Sequence, residues 1–395
     1  MTALLASLAA LAAPEVADEK EPQERARKTP RAEKDPDQLV WSGIVLPLFG
    51  ANSQDGPGFG LGGEIFARRR AREEGYRIKF TGLFWITTDF GYTSDYVQVD
   101  YRSKTHWIGR LGYRGWRNHA YVGAGGADVQ LLPKDAEIGN RVTGPFGFLG
   151  ASRGVGGPWK AFAQAYYKTY FVRPGDDAIL RDDRPYGVDG ATYLDFTVGL
   201  ELDTTDRWPM PRNGVRAEIS GRAGVTFPKH DEVGFLAGSY AEIIAWKSLG
   251  KHLTFAGRVT GDQTAGKRPF FEQDIAGGRW RDELGSDQMF AGYGRTRTRG
   301  DGFFAAMVEV RPYFFKTNHK FLDFAFHASA FAEAAWLTEA GEAGPILPTV
   351  GFGPQVVFQG AIQCRPYAAW GWRSGEPGDP RKPVPQFGIS FLDPL

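Results

Sequence analysis

A strict two-residue alternation of apolar and polar side chains, repeated in segment after segment, is the feature that most constrains this chain. Leu194, Phe196, Val198, Leu200 and Leu202 are interleaved with Tyr193, Asp195, Thr197, Glu201 and Asp203. The same pattern recurs in Tyr76, Ile78, Phe80, Gly82 and Phe84, in Val215, Ala217, Ile219 and Ala223, in Leu253, Phe255, Gly257 and Val259, and in Leu322, Phe324, Phe326, Ala328 and Ala330. Successive side chains of an extended strand point to opposite faces, so each segment has one apolar and one charged face. The segments run to about 9–11 residues, the length of a tilted strand that crosses a bilayer. Nowhere does the chain carry the roughly 18 consecutive apolar residues of a spanning helix. Lipid offers no partner to free backbone N–H and C=O groups, so strands that span a membrane must close into a barrel.

A soluble sandwich also alternates. Two features favour the barrel. The polar face is rich in Arg, Asp, Glu and Tyr, as suits a lumen packed with hydrogen-bonding side chains, rather than the Lys/Glu mix of a solvated surface. Trp41, Tyr76, Trp107, Trp159, Tyr193, Trp246 and Trp336 lie near segment ends, where interfacial girdles are expected. The 52 glycines and 14% aromatic residues fit an all-β chain with many turns. A mean hydropathy of −0.35 is compatible with a barrel, because only alternate residues need face lipid. The formal net charge of +1 gives no reason to expect a nucleic-acid partner. Cys364, the single cysteine, cannot form an internal disulfide.

Strands are expected near 41–50, 57–69, 76–88, 94–103, 106–116, 144–154, 158–172, 193–203, 213–226, 234–247, 252–263, 302–315, 321–337, 346–359, 361–372 and 385–391. That is about sixteen, the even number a single-chain bacterial barrel requires. Residues 120–129 compete with 144–154 for one strand. If the first strand starts in the periplasm, the long connections 117–143, 173–192, 264–301 and 373–384 are all external, and short ones such as 70–75, 104–105, 248–251 and 316–320 are periplasmic. The expected architecture is therefore an all-β, closed, transmembrane antiparallel β-barrel over residues 39–395 in the bacterial outer membrane. Residues 1–13, MTALLASLAALAA, read as the apolar core of a signal peptide with an A-x-A-like site, although no Lys or Arg precedes it. Residues 14–38 are charged and nearly free of large apolar side chains, and are expected to form a disordered periplasmic tail.

Three segments resemble the BamA/TamA-type bacterial surface antigen family, whose members form sixteen-stranded outer-membrane barrels. Residues 44–66, IVLPLFGANSQDGPGFGLGGEIF, resemble the family's opening hairpin. Residues 199–214, GLELDTTDRWPMPRNG, resemble its D-x-R-D…P-x-x-G periplasmic turn, with Asp203, Asp206, Pro211 and Gly214 in matching places and Thr205 where the family has Arg. Residues 289–311, MFAGYGRTRTRGDGFFAAMVEVR, resemble the sixth outer loop and the E-x-R strand after it: Gly292, Tyr293, Glu309 and Arg311 match, and Ala291 replaces the loop Arg. The resemblance implies membrane-protein insertion, translocation or outer-membrane organisation, with outer-membrane lipid and unfolded outer-membrane or secreted proteins as partners. The tail is too short for a POTRA domain, so the chain is expected to be a stand-alone barrel. A passive pore, and a barrel paired with a separately encoded lipase, are the competing readings.

The resemblance also implies that loop 264–301 folds into the lumen and that one of Arg295, Arg297 and Arg299 pairs with a strand carboxylate. Glu309 is the first candidate and Glu333 the second, with Asp323 also on a lumen-facing position; a charge-assisted Arg–carboxylate contact would fix the loop. A solvated loop of mixed charge is the alternative. Asp203, Asp206, Pro211 and Gly214 are the residue types that shape a turn. No catalytic, cofactor or metal site is expected. His327 and Ser329 lie two apart on one strand, hence together on the lumen face, away from lipid. The Gly-rich GFGLGG at 58–63 lies in a strand with no helix following to receive a phosphate.

Overall fold

The computed structural model describes residues 39–52, 56–69, 76–88, 92–116, 141–173, 180, 184–206, 210–272, 301–318, 323–339, 342–358, 362–371 and 384–391. Its strands are β1 (Leu39–Asn52), β2 (Gly56–Arg69), β3 (Ile78–Thr87), β4 (Tyr92–Arg102), β5 (Thr105–Trp116), β6 (Arg141–Gly156), β7 (Trp159–Arg173) and β8 (Ala191–Asp203). They continue with β9 (Gly214–Pro228), β10 (Gly234–Leu249), β11 (Leu253–Gly266), β12 (Gly302–Asn318), β13 (Asp323–Glu339), β14 (Glu342–Phe358), β15 (Ile362–Gly371) and β16 (Val384–Phe391). All sixteen join one antiparallel sheet in chain order. The first and last strands lie in contact, which brings the two ends of the sheet together as a barrel.

Each strand coincides with a segment of alternating sequence. β6 occupies the place read at 144–154, and residues 120–129 lie outside the described residues, as do 1–38 with the expected signal and tail. β12 and β14 are longer than the expected 302–315 and 346–359, and with β13 each has 17 residues. At a tilt near 40° each residue advances about 2.5 Å along the axis, so such strands rise about 40 Å and outrun an apolar band of about 25 Å. Beyond that band both faces are wet, and the sequence no longer needs to alternate.

The register puts the apolar set outside. Phe196, Val198, Ile219, Ile243 and Val308 are exposed, while Asp195, Thr197, Glu201, Arg222 and Glu309 between or beside them are buried in the interior. Trp41, Trp107, Trp159 and Trp336 face outward as girdle residues should. Trp246 and Tyr193 do not: both are buried on the inner face. Trp246 packs with Ile244, Ala256, Met307 and Phe331, and the Tyr193 hydroxyl donates to Asp195 at 2.7 Å. Position near a strand end does not decide which face a ring takes; the parity of the strand does.

The inner wall owes much of its shape to glycines lying beside aromatic rings. A Cβ at Gly112 would approach Phe146 to 2.6 Å, one at Gly199 would approach Phe162 to 2.5 Å, and one at Gly351 would approach Phe331 to 2.3 Å. The bare backbone lets each ring lie flat on the neighbouring strand, covering a residue that has no side chain of its own to pack. This accounts for the joint abundance of glycine and aromatic residues. In β12 the register shifts between Tyr313 and Phe315, and Phe314 and Phe315 both face outward, as a β-bulge allows.

Candidate functional site

Among the described residues, three polar constellations inside the barrel and one at its end bear most on function, and the sequence pointed to two of the four. The first is built on Glu309. Its place on β12, two residues from Arg311, puts both side chains on the inner face, where they pair at 2.8 Å. Ser329 on β13 donates to the same carboxylate at 2.5 Å, and Arg365 on β15 approaches it at 3.7 Å. All four side chains are buried. Arg365 crosses to Glu309 beside Phe331, 5.6 Å from its ring centroid, and Phe331 itself lies on Gly351. Sequence reasoning identified Glu309, Arg311 and Ser329 but missed Arg365; its inward parity on β15 was the available signal. Glu333 is buried on the same wall, and of Asp323 only the backbone is described. Gly292, Tyr293, Arg295, Arg297 and Arg299 lie outside the described residues. His327 packs its ring against Tyr313, with centroids 5.0 Å apart.

The second constellation is where the long connection after β11 begins. Phe270, Phe271 and Glu272 form a single 3-10 turn and are all buried. Glu272 does not turn outward to water. It reaches Lys168, which points inward from β7, in an ion pair of 2.5 Å with both side chains fully buried. The Lys168 ammonium also lies 4.8 Å from the Tyr170 ring centroid, a cation–π distance. Phe271 packs edge-on against Tyr170, and the cluster is completed by Trp116, Val142, Leu180, Val188, Ala191 and Phe270. The connections β7–β8 and β9–β10 join in: Phe270 N donates to Tyr186 O at 3.1 Å, Tyr186 donates to Glu232 O at 2.9 Å, and Lys267 N donates to Phe235 O at 2.9 Å. Burial, with Arg222 close by, pushes the Arg268 guanidinium below its usual range, while Asp262, Tyr193 and Glu272 act in the opposite sense. The base of the long loop therefore does enter the barrel, but it is held by its own acid against a wall lysine on β7.

Between these two lies a third network. Arg222 on β9 donates to Asp262 on β11 at 2.8 Å and also bonds Thr264. Glu242 on β10 receives Arg258 at 2.5 Å and Tyr240 at 3.0 Å, with Arg216 at 3.8 Å. Glu201, Glu218 and Glu242 are directly opposite one another across β8, β9 and β10. Such a row of like charges is unfavourable unless cations flank it. Lys160, at 3.1 Å from Glu201, together with Arg216 and Arg258 supplies them. Among the described residues no group of three His, Cys, Asp or Glu side chains is placed to hold a metal ion.

The fourth is the β8–β9 connection. Asp203 accepts the Thr205 N–H at 3.1 Å, its hydroxyl at 2.7 Å and the Lys160 ammonium at 3.0 Å. Asp206 accepts from Arg212 N at 2.9 Å and Asn213 Nδ2 at 3.1 Å. Gly214 has φ +118°, and a Cβ there would lie 2.5 Å from Thr204 O. Pro211 is buried. Asn213 Oδ1 accepts from Ser248 N at 3.1 Å and Arg212 donates to Gly250 O at 2.5 Å, so this turn is stitched to the β10–β11 turn at the same end of the barrel. Asp203, Asp206, Pro211 and Gly214 thus lie at or between the ends of β8 and β9, and Thr205 supplies two donors to Asp203.

No protein-family model matches the chain, and no curated protein matches it by sequence. Solved structures do match in fold. CdiB from Escherichia coli aligns with a TM-score of 0.55 at 12% identity, over 91% of this chain and 63% of that one. BamA from Haemophilus ducreyi lacking POTRA domains 1–3 aligns with a TM-score of 0.50 at 15% identity, over 89% of this chain and 70% of that one. CdiB from Acinetobacter baumannii aligns with a TM-score of 0.50 at 11% identity, over 89% of this chain and 59% of that one. The chain spans less than two thirds of either CdiB chain. The likeness is one of fold: a sixteen-stranded antiparallel barrel.

Proposed function

We propose that this chain is a non-enzymatic bacterial outer-membrane barrel that serves protein assembly or translocation, with unfolded outer-membrane or secreted polypeptides as clients. The observation that carries the reading is the inward course of the start of the connection after β11. Phe270, Phe271 and Glu272 are buried against β7, on the inner wall, where an open porin would keep a water-filled channel. The barrel fold shared with BamA and CdiB structures and the sequence resemblance at Asp203, Asp206, Pro211, Gly214, Glu309 and Arg311 support the same reading. The outward apolar face with Trp41, Trp107, Trp159 and Trp336 supports a place in the membrane.

Depletion tests it. Removing the protein from its bacterium should lower the amount of one or more other outer-membrane or secreted proteins while their transcripts hold steady. Fractionation should place the chain itself in the outer membrane with heat-modifiable gel migration. An unchanged outer-membrane and secreted proteome after depletion would defeat the assembly and translocation reading and leave a structural barrel.

A further inference from the structure

We infer that the short-turn end of β3–β6 carries an outward-facing site for an anionic glycerophospholipid, in which Arg77, Lys104 and Arg153 receive the headgroup phosphate beside Tyr101 and Trp107. The inference rests on the place in the membrane proposed above.

The strand ladder assembles the site. Tyr101 on β4 is directly opposite Ile78 on β3 and Trp107 on β5, and Trp107 is directly opposite Ala151 on β6. Tyr101 and Trp107 are 38% and 46% exposed, in phase with the outward Val97, Val99 and Leu111. Arg153 is the next residue on the same face of β6 toward the strand end, and Lys104 occupies the two-residue turn between β4 and β5; both are exposed. Arg77 is the last residue before β3, at the rim, where a long side chain can reach round to the outer face. Lys79 turns inward to Glu64, but the Arg77 guanidinium lies 4.7 Å from the Tyr101 ring centroid and donates to the Tyr101 hydroxyl at 2.7 Å. The three cations are spread over four neighbouring strands, about 14 Å across.

Charge and shape together select the occupant. Among the described residues, the acids of this end are on the inner face and already held: Glu64 by Lys79 at 3.0 Å and Asp100 by His106. Farther round the same end Lys160 is taken by Glu201 at 3.1 Å and Asp203 at 3.0 Å. Arg77, Lys104 and Arg153 have no such carboxylate among the described residues, so the anion that neutralises them comes from outside the chain. Guanidinium groups match phosphate oxygens with paired hydrogen bonds, and Tyr and Trp rings belong at headgroup level. Deeper on the same face the surface opens. Gly109, the next outward residue after Trp107, lies between Val99 and Leu149, and a Cβ there would meet nothing within 4 Å. This shallow trough leads from Trp107 into the apolar band and suits an acyl chain, which a free phosphate lacks. Short turns mark the periplasmic end of such barrels, which places the site in the leaflet on that side.

Native mass spectrometry of the full chain, loaded in detergent with equimolar phosphatidylglycerol and phosphatidylcholine, tests the site. Wild type should retain phosphatidylglycerol in preference. Arg77→Gln and Arg153→Gln should each lower that preference about fivefold, the effect of one basic residue beside anionic lipid. Lys247→Gln, which removes an exposed cation of β10 at the same end, should leave it unchanged. Heat-modifiable migration checks that each barrel has folded. Equal retention of the two lipids by wild type would overturn the site, as would an equal loss in the Lys247 variant, which would assign the preference to general surface charge. Displacement of the lipid by inorganic phosphate, or a stronger preference for lipopolysaccharide, would overturn it too. Fractionation of the chain outside the membrane would defeat the membrane reading itself, whereas lost lipid preference in a folded, membrane-located barrel defeats the site alone.

Discussion

Replacing Val198 by arginine is the sharpest test of the register. The outward apolar run of β8 extends from Leu194 to Leu202, with Val198 at its centre. At about 2.5 Å of axial rise per residue the run spans about 20 Å, close to the apolar band of about 25 Å, so Val198 lies near the bilayer midplane and Leu202 about 10 Å away. Val198 is 62% exposed, and its cross-strand neighbours are Ala163 and Gly221, which offer a guanidinium neither a partner nor cover. Val198→Arg should cost about 2–4 kcal/mol, and Leu202→Arg about 0–1 kcal/mol, because a residue near the interface can snorkel to water. Leu200, which the alternation alone would nominate as mid-strand, is displaced by about 5 Å and should fall between. The measurement is the urea dependence of folding into lipid vesicles, read by heat-modifiable migration. Equal costs at residues 198 and 202, or a smaller cost at 198, would refute the placement of β8 in the membrane.

Two further substitutions probe the interior. Glu309→Gln removes the carboxylate from between Arg311 and Arg365 and should destabilise the barrel by about 3–5 kcal/mol in the same titration, whereas Arg365→Gln, which leaves the 2.8 Å Arg311 pair intact, should cost distinctly less. Gly351→Ala places a methyl 2.3 Å from the Phe331 ring and should cost about 1–3 kcal/mol, with Gly351→Ala/Phe331→Leu recovering part of the loss.

The strand count, order and facing were legible because each is written locally. Parity at Thr197 and Val198 assigns one to the lumen and the other to lipid whatever the rest of the chain does. Turn chemistry was largely local: Asp203, Asp206, Pro211 and Gly214 lie at or between the facing ends of β8 and β9, and Asp203 and Asp206 accept from Thr205, Arg212 and Asn213 nearby. What stayed hidden depends on closure of the sheet. Lys168 and Glu272 are 104 positions apart, and nothing in either neighbourhood announces the other. Arg365 reaches Glu309 from β15 because the bare backbone of Gly351 lets Phe331 lie down between them. Trp246 and Tyr193 looked like girdle residues because amphipathic rings favour interfaces, yet the interior of this barrel is itself lined with rings. The alternation shows that a face is apolar or polar on average; it does not show that the polar face holds large aromatic residues wherever a facing glycine admits them.

These placements bear on how the long connection is held. An unpaired acid in a narrow lumen is costly, which is the physical reason to expect a loop arginine at Glu309. Glu309, however, already has Arg311 and Arg365 beside it and the Ser329 hydroxyl donated to it. A third guanidinium there would add repulsion from two like charges to the attraction of one carboxylate. Glu333 is buried on the same wall. It pairs in register with Met307, two residues closer than Glu309 to Gly302, the end of β12 at which the connection re-enters the barrel. Meanwhile the other end of the same connection is docked on the opposite wall through Glu272 and Lys168. The described part of the connection is therefore anchored by its own acid, Glu272, on Lys168, while Glu309 is already satisfied from β12, β13 and β15.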